Sequence, residues 1–288
     1  MVDFEFGLDS FYSGWKPVCK EVILEHNQNI KQAEYFNSFI YQQYNGMKYK
    51  SLDDGEIAVI RLVPIMGNYN AIRYCGGYGS KSSSTLSYNG FTLRGSDITE
   101  GGKPDDFGSE FVYDANELIM MHGKKFERIR NTINTRKYNN EFSLLFEEKD
   151  ILLVINEWSK ATNSKHQIKL FEFIKKNKEL CNFLTVYTPE KEIIGISIVE
   201  KINETNGVII QQLINPLIKD KIKEPNILIH FYNCLHHSGM KLNIGGARNE
   251  QIRVAKSKLQ PSLMLPIYRK ISTTKKLSKT EYELLKHG

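Results

Sequence analysis

The sequence predicts a mixed α/β fold, and three observations carry that reading. Short β-branched runs stand in hairpin order at 183–188, 193–200 and 208–213, with the turn Thr188-Pro189-Glu190-Lys191 joining the first two. A helical stretch at 226–238, a strand at 241–244 and a helix at 250–258, before Pro261, come next. Strands followed by helix, strand and helix fit a mixed sheet flanked by helices, not a barrel or a doubly wound fold. The third observation is composition: 288 residues with 41% apolar and 25% charged side chains provide enough apolar surface for a real core.

Earlier elements follow from local pattern. Residues 29–44 set Ile30, Ala33, Phe36, Ile40 and Tyr44 at helical spacing, which predicts one amphipathic helix. The run 57–65 is rich in β-branched residues and ends at Pro64 and Gly67, a strand and its turn. Residues 72–78 and 86–93 predict two more strands, the second inside a long polar passage, 79–108, that holds much of the chain's Gly and Ser. A short strand at 111–113 leads to Asp114, a capping residue, and 124–134 predicts a helix with Phe126, Ile129 and Ile133 on one face. Residues 143–146 and 150–158 read as a strand and a helix start, and 168–180 as a helix with Leu170, Phe173 and Ile174 inward. A boundary within 138–150 divides the chain into halves 1–142 and 143–288.

Composition also excludes. The first ten residues carry Asp3, Glu5 and Asp9 and lack the basic-then-apolar order of a secretion signal, so a cytoplasmic protein is expected. The longest apolar runs, 151–155 and 193–199, fall well short of the ~20 residues of a membrane-spanning helix. Cys19, Cys75, Cys181 and Cys234 are far apart, without zinc-ligand spacing, and read as free thiols; no metal is expected. The net charge of +6 is modest, but Lys and Arg gather in two clusters, 124–137 and 241–279, that a fold can bring to one face.

Two stretches are more specific. The first is Phe111-Val112-Tyr113-Asp114 followed by Gly123-Lys124-Lys125-Phe126-Glu127-Arg128-Ile129-Arg130-Asn131-Thr132-Ile133-Asn134. The second is Leu242-Asn243-Ile244-Gly245-Gly246-Ala247-Arg248, leading through Lys256 to Pro261 and Tyr268. In this order, and about 110 residues apart, they resemble the lysylphosphatidylglycerol synthetase C-terminal family, relatives of the Fem peptidyltransferases. The resemblance implies two tandem halves of the GCN5-related N-acetyltransferase type, each with a central sheet whose middle strands splay apart. It also implies an aminoacyltransferase that takes aminoacyl-tRNA as co-substrate, needs no other cofactor and serves an amine or hydroxyl acceptor. An acyl-coenzyme A-dependent N-acyltransferase, or a nucleic-acid-binding module without chemistry, stays open as an alternative on the same scaffold.

Aminoacyl transfer starts from an activated ester, so positioning and charge stabilisation do most of the work. Arg248 and Lys256, after the Gly245-Gly246 pair that permits close backbone approach, are the candidate catalytic cations for the oxyanion. Lys124, Lys125, Arg128 and Arg130 are candidates for phosphate contact, with an ordinary solvated helix face as the plainer reading. Asn243, Gly245, Gly246 and Tyr268 complete the substrate-binding set that the resemblance implies, while Asn131 and Asn134 brace the helix end. Arg73-Tyr74-Cys75-Gly76-Gly77-Tyr78-Gly79 misses the spacing of dinucleotide and P-loop motifs, and Tyr78 breaks the coenzyme A pattern, which leaves a tight turn. Asp105 and Asp106 offer carboxylates for a cationic aminoacyl group or serve as turn formers. His236 and His237 diverge by ~100° on a helix and do not share a metal easily. His122 and His166 stand without context, and Trp15 and Trp158 read as core or rim aromatics.

Overall fold

The computed structural model describes residues 16–51, 57–66, 69–75, 91–95, 103–104, 109–134, 142–143, 147–247 and 249–272. Strand β1 (Lys16–Pro17) precedes helix α1 (Lys20–Asn27), a 3-10 turn (Tyr35–Asn37) and helix α2 (Phe39–Tyr44). Strands β2 (Lys48–Ser51), β3 (Ile57–Met66), β4 (Tyr69–Cys75), β5 (Phe91–Gly95), β6 (Lys103–Pro104) and β7 (Glu110–Asp114) follow. Next are α3 (Ala115–Met120), a 3-10 turn (Lys124–Phe126), α4 (Glu127–Asn134), β8 (Phe142–Ser143), α5 (Glu148–Thr162) and α6 (His166–Lys176). The chain continues through a 3-10 turn (Lys178–Leu180), β9 (Cys181–Tyr187), β10 (Ile193–Lys201), β11 (Asn206–Ile214), α7 (Pro225–His236), β12 (Lys241–Asn243) and α8 (Glu250–Ser257). Strands β13 (Leu263–Leu265) and β14 (Tyr268–Ser272) are the last of the described elements.

These strands form two mixed seven-stranded sheets, so the α/β class read from the sequence is the one observed. The first has the order β1-β2-β3-β4-β5-β14-β6 and the second β13-β7-β12-β11-β10-β9-β8. Each contains one parallel pair, β4 with β5 and β11 with β12, amid antiparallel neighbours. Both sheets draw a strand from across residue 142: β14 lies in the first and β7 in the second.

The second sheet is covered on both faces. Ile151, Val154 and Ile155 of α5 and Leu170, Phe171 and Ile174 of α6 pack against Phe183, Ile196 and Ile198. On the opposite face, Leu118 of α3, Phe126, Ile129 of α4 and Ile227 and Cys234 of α7 meet Phe111, Tyr113, Val199 and Ile209. Gly195 is required where α7 crosses β10, because a Cβ there would overlap Ile229 Cδ1 and the Leu213 carbonyl oxygen.

Residues 29–44 depart from the helix that periodicity predicts. Glu34 caps the 3-10 turn, with its backbone N–H donating to Asn37 Oδ1 at 2.7 Å, and Ser38 Oγ accepts from Tyr41 N at 2.9 Å to start α2 as a separate helix. The preceding backbone is claimed from a distance: the Ile30 carbonyl accepts from Asn203 Nδ2, and the Ala33 carbonyl from Asn243 Nδ2, both at 2.9 Å. These bonds replace the i to i−4 ladder, so tertiary partners override the helical pattern. Helix α1, which the sequence reading did not identify, precedes this segment and buries Ile23 in the core of the first sheet.

Candidate active site

Strands β11 and β12 pair over three residues, Asn206 with Lys241, Gly207 with Leu242 and Val208 with Asn243, and β11 then runs on to Ile214 while β12 ends. The second sheet therefore opens between its middle strands. A register shift opposite Ile198 and Val199 leaves Ile210 as the extra residue of β11 at the mouth of this opening.

The Gly245-Gly246 loop leaves β12 beside the opening, and a buried polar network fixes it. Glu110, the first residue of β7, is 1% exposed and accepts from Asn243 Nδ2 and from the Tyr35 backbone N–H, both at 2.7 Å. Asn243 Oδ1 in turn accepts from Gly245 N at 2.7 Å. Tyr35 spans the gap: its hydroxyl donates to the Ile210 carbonyl at 3.2 Å, and its ring faces Gly245. Gly245 has φ +69° and room for a hydrogen alone, since a Cβ would stand 2.9 Å from the Tyr35 ring. Gly245→Ala is therefore expected to lower stability by about 1–2 kcal/mol, measurable by urea denaturation, before any displacement of Tyr35 is counted.

Lys256 reads from the sequence as a cation facing an oxyanion; the structure sets its ammonium against the loop instead. Its Nζ donates to the carbonyls of Ile244 at 2.6 Å, Gly245 at 3.1 Å and Gly246 at 2.6 Å, a partner for each of its three protons. The Phe111 ring lies 5.8 Å away, and burial pulls the ammonium down to about 8 while Glu110 opposes that shift. Lys256 thus ties three consecutive carbonyls to α8, whose own N-terminus is capped by Asn249 Oδ1 accepting from Ile252 N at 2.9 Å.

The first basic cluster forms a separate feature. Lys124, Lys125, Glu127, Arg128, Asn131 and Thr132 line a cleft of about 640 Å³ together with Lys223 and Glu224 at the start of α7, four cations against two carboxylates. Within it Arg128 pairs with Glu224, which also accepts from Thr132 Oγ1 at 2.8 Å; Lys125 pairs with Glu117 of α3, which is not among the lining residues. The Arg128 guanidinium holds the Glu224 carboxyl below its ordinary range. Arg130 lies outside this cleft and donates to the carbonyls of Met121 and Gly123, closing the turn before the helix. Asn243, Gly245, Gly246 and Lys256 are not among the cleft's lining residues.

Arg248, Asp105, Asp106, Gly76, Gly77, Tyr78, Gly79 and Trp15 lie outside the described residues, as does the side chain of Tyr268, whose backbone pairs with Gly95 in the first sheet. The ring of His237 engages Asn182 Nδ2 at 3.1 Å and the Asn233 carbonyl at 2.8 Å. Among the described residues no group of three or more His, Cys, Asp or Glu side chains is placed to hold a metal ion, and no helix is long and apolar enough to cross a membrane. Sequence reasoning missed Glu110 and Tyr35. A carboxylate abutting an apolar strand signals the first, but Tyr35 sits inside a segment whose pattern points to a plain helix.

No protein-family model and no curated protein matches this chain. Solved structures do. A conserved protein of unknown function from Bacteroides thetaiotaomicron superposes with a TM-score of 0.68 at 15% identity, covering 88% of this chain and 98% of its own. FemX superposes at 0.61 and 8% identity, covering 94% and 99%. The C-terminal domain of a putative lysylphosphatidylglycerol synthetase from Agrobacterium fabrum superposes at 0.58 and 10% identity, covering 93% and 96%. Two mixed sheets, one opened between its middle strands, thus give this chain the fold shared by FemX and the C-terminal domain of lysylphosphatidylglycerol synthetase.

Proposed function

We propose that this protein is an aminoacyltransferase that moves an amino acid from aminoacyl-tRNA to an amine or hydroxyl acceptor. The observation that carries this reading is the braced Gly245-Gly246 loop at the opening between β11 and β12, held by Lys256, Asn243 and Glu110. The shared fold with FemX and the synthetase domain supports a transferase, and the basic cleft supports a phosphate-bearing donor.

In the reaction the acceptor's amine or hydroxyl forms the new bond to the ester carbonyl carbon. The carbon–oxygen bond to the tRNA ribose breaks, and the ribose oxygen leaves with a proton. Arg248 is the cation assigned to the developing oxyanion, and Lys256 is a positioning residue that keeps the loop rigid. Lys124, Lys125 and Lys223 bind tRNA phosphates, with Arg128 ordered against Glu224 beside them.

The test is transfer of a radiolabelled amino acid from charged tRNA by the purified protein, with tRNA binding measured across a salt series. Transfer is expected, with binding that weakens steeply as salt rises. Salt-independent binding overturns this donor, and thermal stabilisation by acetyl-coenzyme A with none by tRNA favours the acyl-coenzyme A reading in its place.

A further inference from the structure

Helix α7 lays polar side chains on the core face of the second sheet. His230 and Asn233, three residues apart, are 1% and 0% exposed. Neither Nδ2 nor Oδ1 of Asn233 has a hydrogen-bond partner among the described residues, and neither does Nδ1 of His230. The sheet presents two more such atoms, Ser197 Oγ and Gln212 Oε1, and these residues are direct cross-strand partners.

The helix-to-sheet register sets α7 along β10. At one end, Ile229 Cδ1 stands over Gly195 of β10. At the other, the His237 ring bonds to Asn182, the cross-strand partner of Val199. A helix rises ~1.5 Å per residue and a strand ~3.3 Å, so the eight residues from Ile229 to His237 match the four from Gly195 to the level of Val199, and the midpoint, Asn233, falls level with Ser197. His230, one turn earlier on the same helix, packs edge-on against the Tyr113 ring at 4.3 Å.

Five buried polar atoms on the facing sides of α7 and the sheet require partners, because orphaned groups of this kind are rare in native cores. The set mixes donors with acceptors and carries no charge: burial pulls His230 down to about 3, so its ring is neutral. An anion needs a set dominated by donors and a cation one dominated by acceptors, whereas water supplies both. We propose that the seam between α7 and strands β10 and β11 is a binding site for ordered water, holding about two molecules that bridge Asn233, Ser197, Gln212 and His230. Water is then a built-in layer of this core, and α7 rests on the sheet partly through solvent.

A high-resolution crystal structure of the unaltered chain decides the matter directly. Ordered solvent within hydrogen-bond distance of Asn233 and Ser197 is the expected result; a dry seam, or density for another molecule, overturns the proposal. Thermal melts of variants give a second readout of opposite sign for the two cases. With water present, Asn233→Leu and Ser197→Ala each strand a solvent molecule and lower Tm, by about 3 °C for the smaller change. In a dry seam each change removes an orphaned group and raises Tm. Should Asn233→Leu fail to fold, Ser197→Ala and the crystal structure of the unaltered chain still decide.

Discussion

Lys256→Met is expected to reduce aminoacyl transfer at least ~100-fold and to cost about 3 kcal/mol of stability. The ammonium is the donor shared by the carbonyls of Ile244, Gly245 and Gly246, and methionine fills much of the same volume while donating nothing. The carbonyls of Ile244 and Gly246 would then face an apolar chain, while that of Gly245 keeps the Phe111 backbone N–H at 3.2 Å, and the loop must rotate to find other donors for the first two. Because Lys256 acts here through the backbone it holds, the loss should fall on kcat, while tRNA affinity and its salt dependence stay near those of the unaltered protein. Denaturation in urea gives the stability change, and single-turnover transfer gives the rate. A variant that transfers normally with weakened tRNA binding would place Lys256 in the phosphate site instead.

The second large effect concerns pH. Glu200 is fully buried at the end of β10, and its carboxylate accepts from Ser38 Oγ at 2.5 Å, Phe39 N at 2.8 Å and Ile40 N at 3.2 Å. Burial pushes its pKa up to about 7, and those three donors oppose the shift without cancelling it. An acid whose folded value is raised holds its proton more tightly in the folded chain than in the unfolded one. Its contribution is therefore complete below the ordinary carboxyl range and is lost as pH rises through about 7. A displacement of that size is worth on the order of 3 kcal/mol. Melts between about pH 5 and pH 8 should show Tm falling in the unaltered protein and a flatter profile in Glu200→Gln, which carries no charge to bury at either end. Equal slopes in the two proteins would assign the pH dependence elsewhere.

Much of the second sheet was legible because its signals are local. The β-branched runs at β9, β10 and β11, the turn at Thr188 and the helix at α7 each declare themselves within about ten residues of sequence. Asp114 was also readable as a cap, and its Oδ1 accepts from Asn116 N at 2.9 Å and Glu117 N at 3.2 Å. Partner choice was not legible. Nothing within Glu110–Asp114 states that this strand joins Lys241–Asn243, and nothing within Tyr268–Ser272 states that the last strand returns to the first sheet. The candidate site divides in the same way. Glycines and cations could be named from residue type and from family resemblance, but the direction of the Lys256 side chain is set by where β12 ends relative to α8. Glu110 and Tyr35 gain their roles only when residues 75 positions apart meet, with Asn243 completing the contact.

The short union of β11 with β12 works like the spine of an open book. One leaf contains β13, β7 and β12 and the other β11 to β8, and three residue pairs of backbone bonding join them. From Val208 the free length of β11 extends six residues, a lever of about 20 Å. A turn of a few degrees within the plane of the sheet, pivoting on those three pairs, would scarcely move Asn243 yet would shift Ile214 by about an ångström, and the Tyr35 hydroxyl on the Ile210 carbonyl is the bond that resists it.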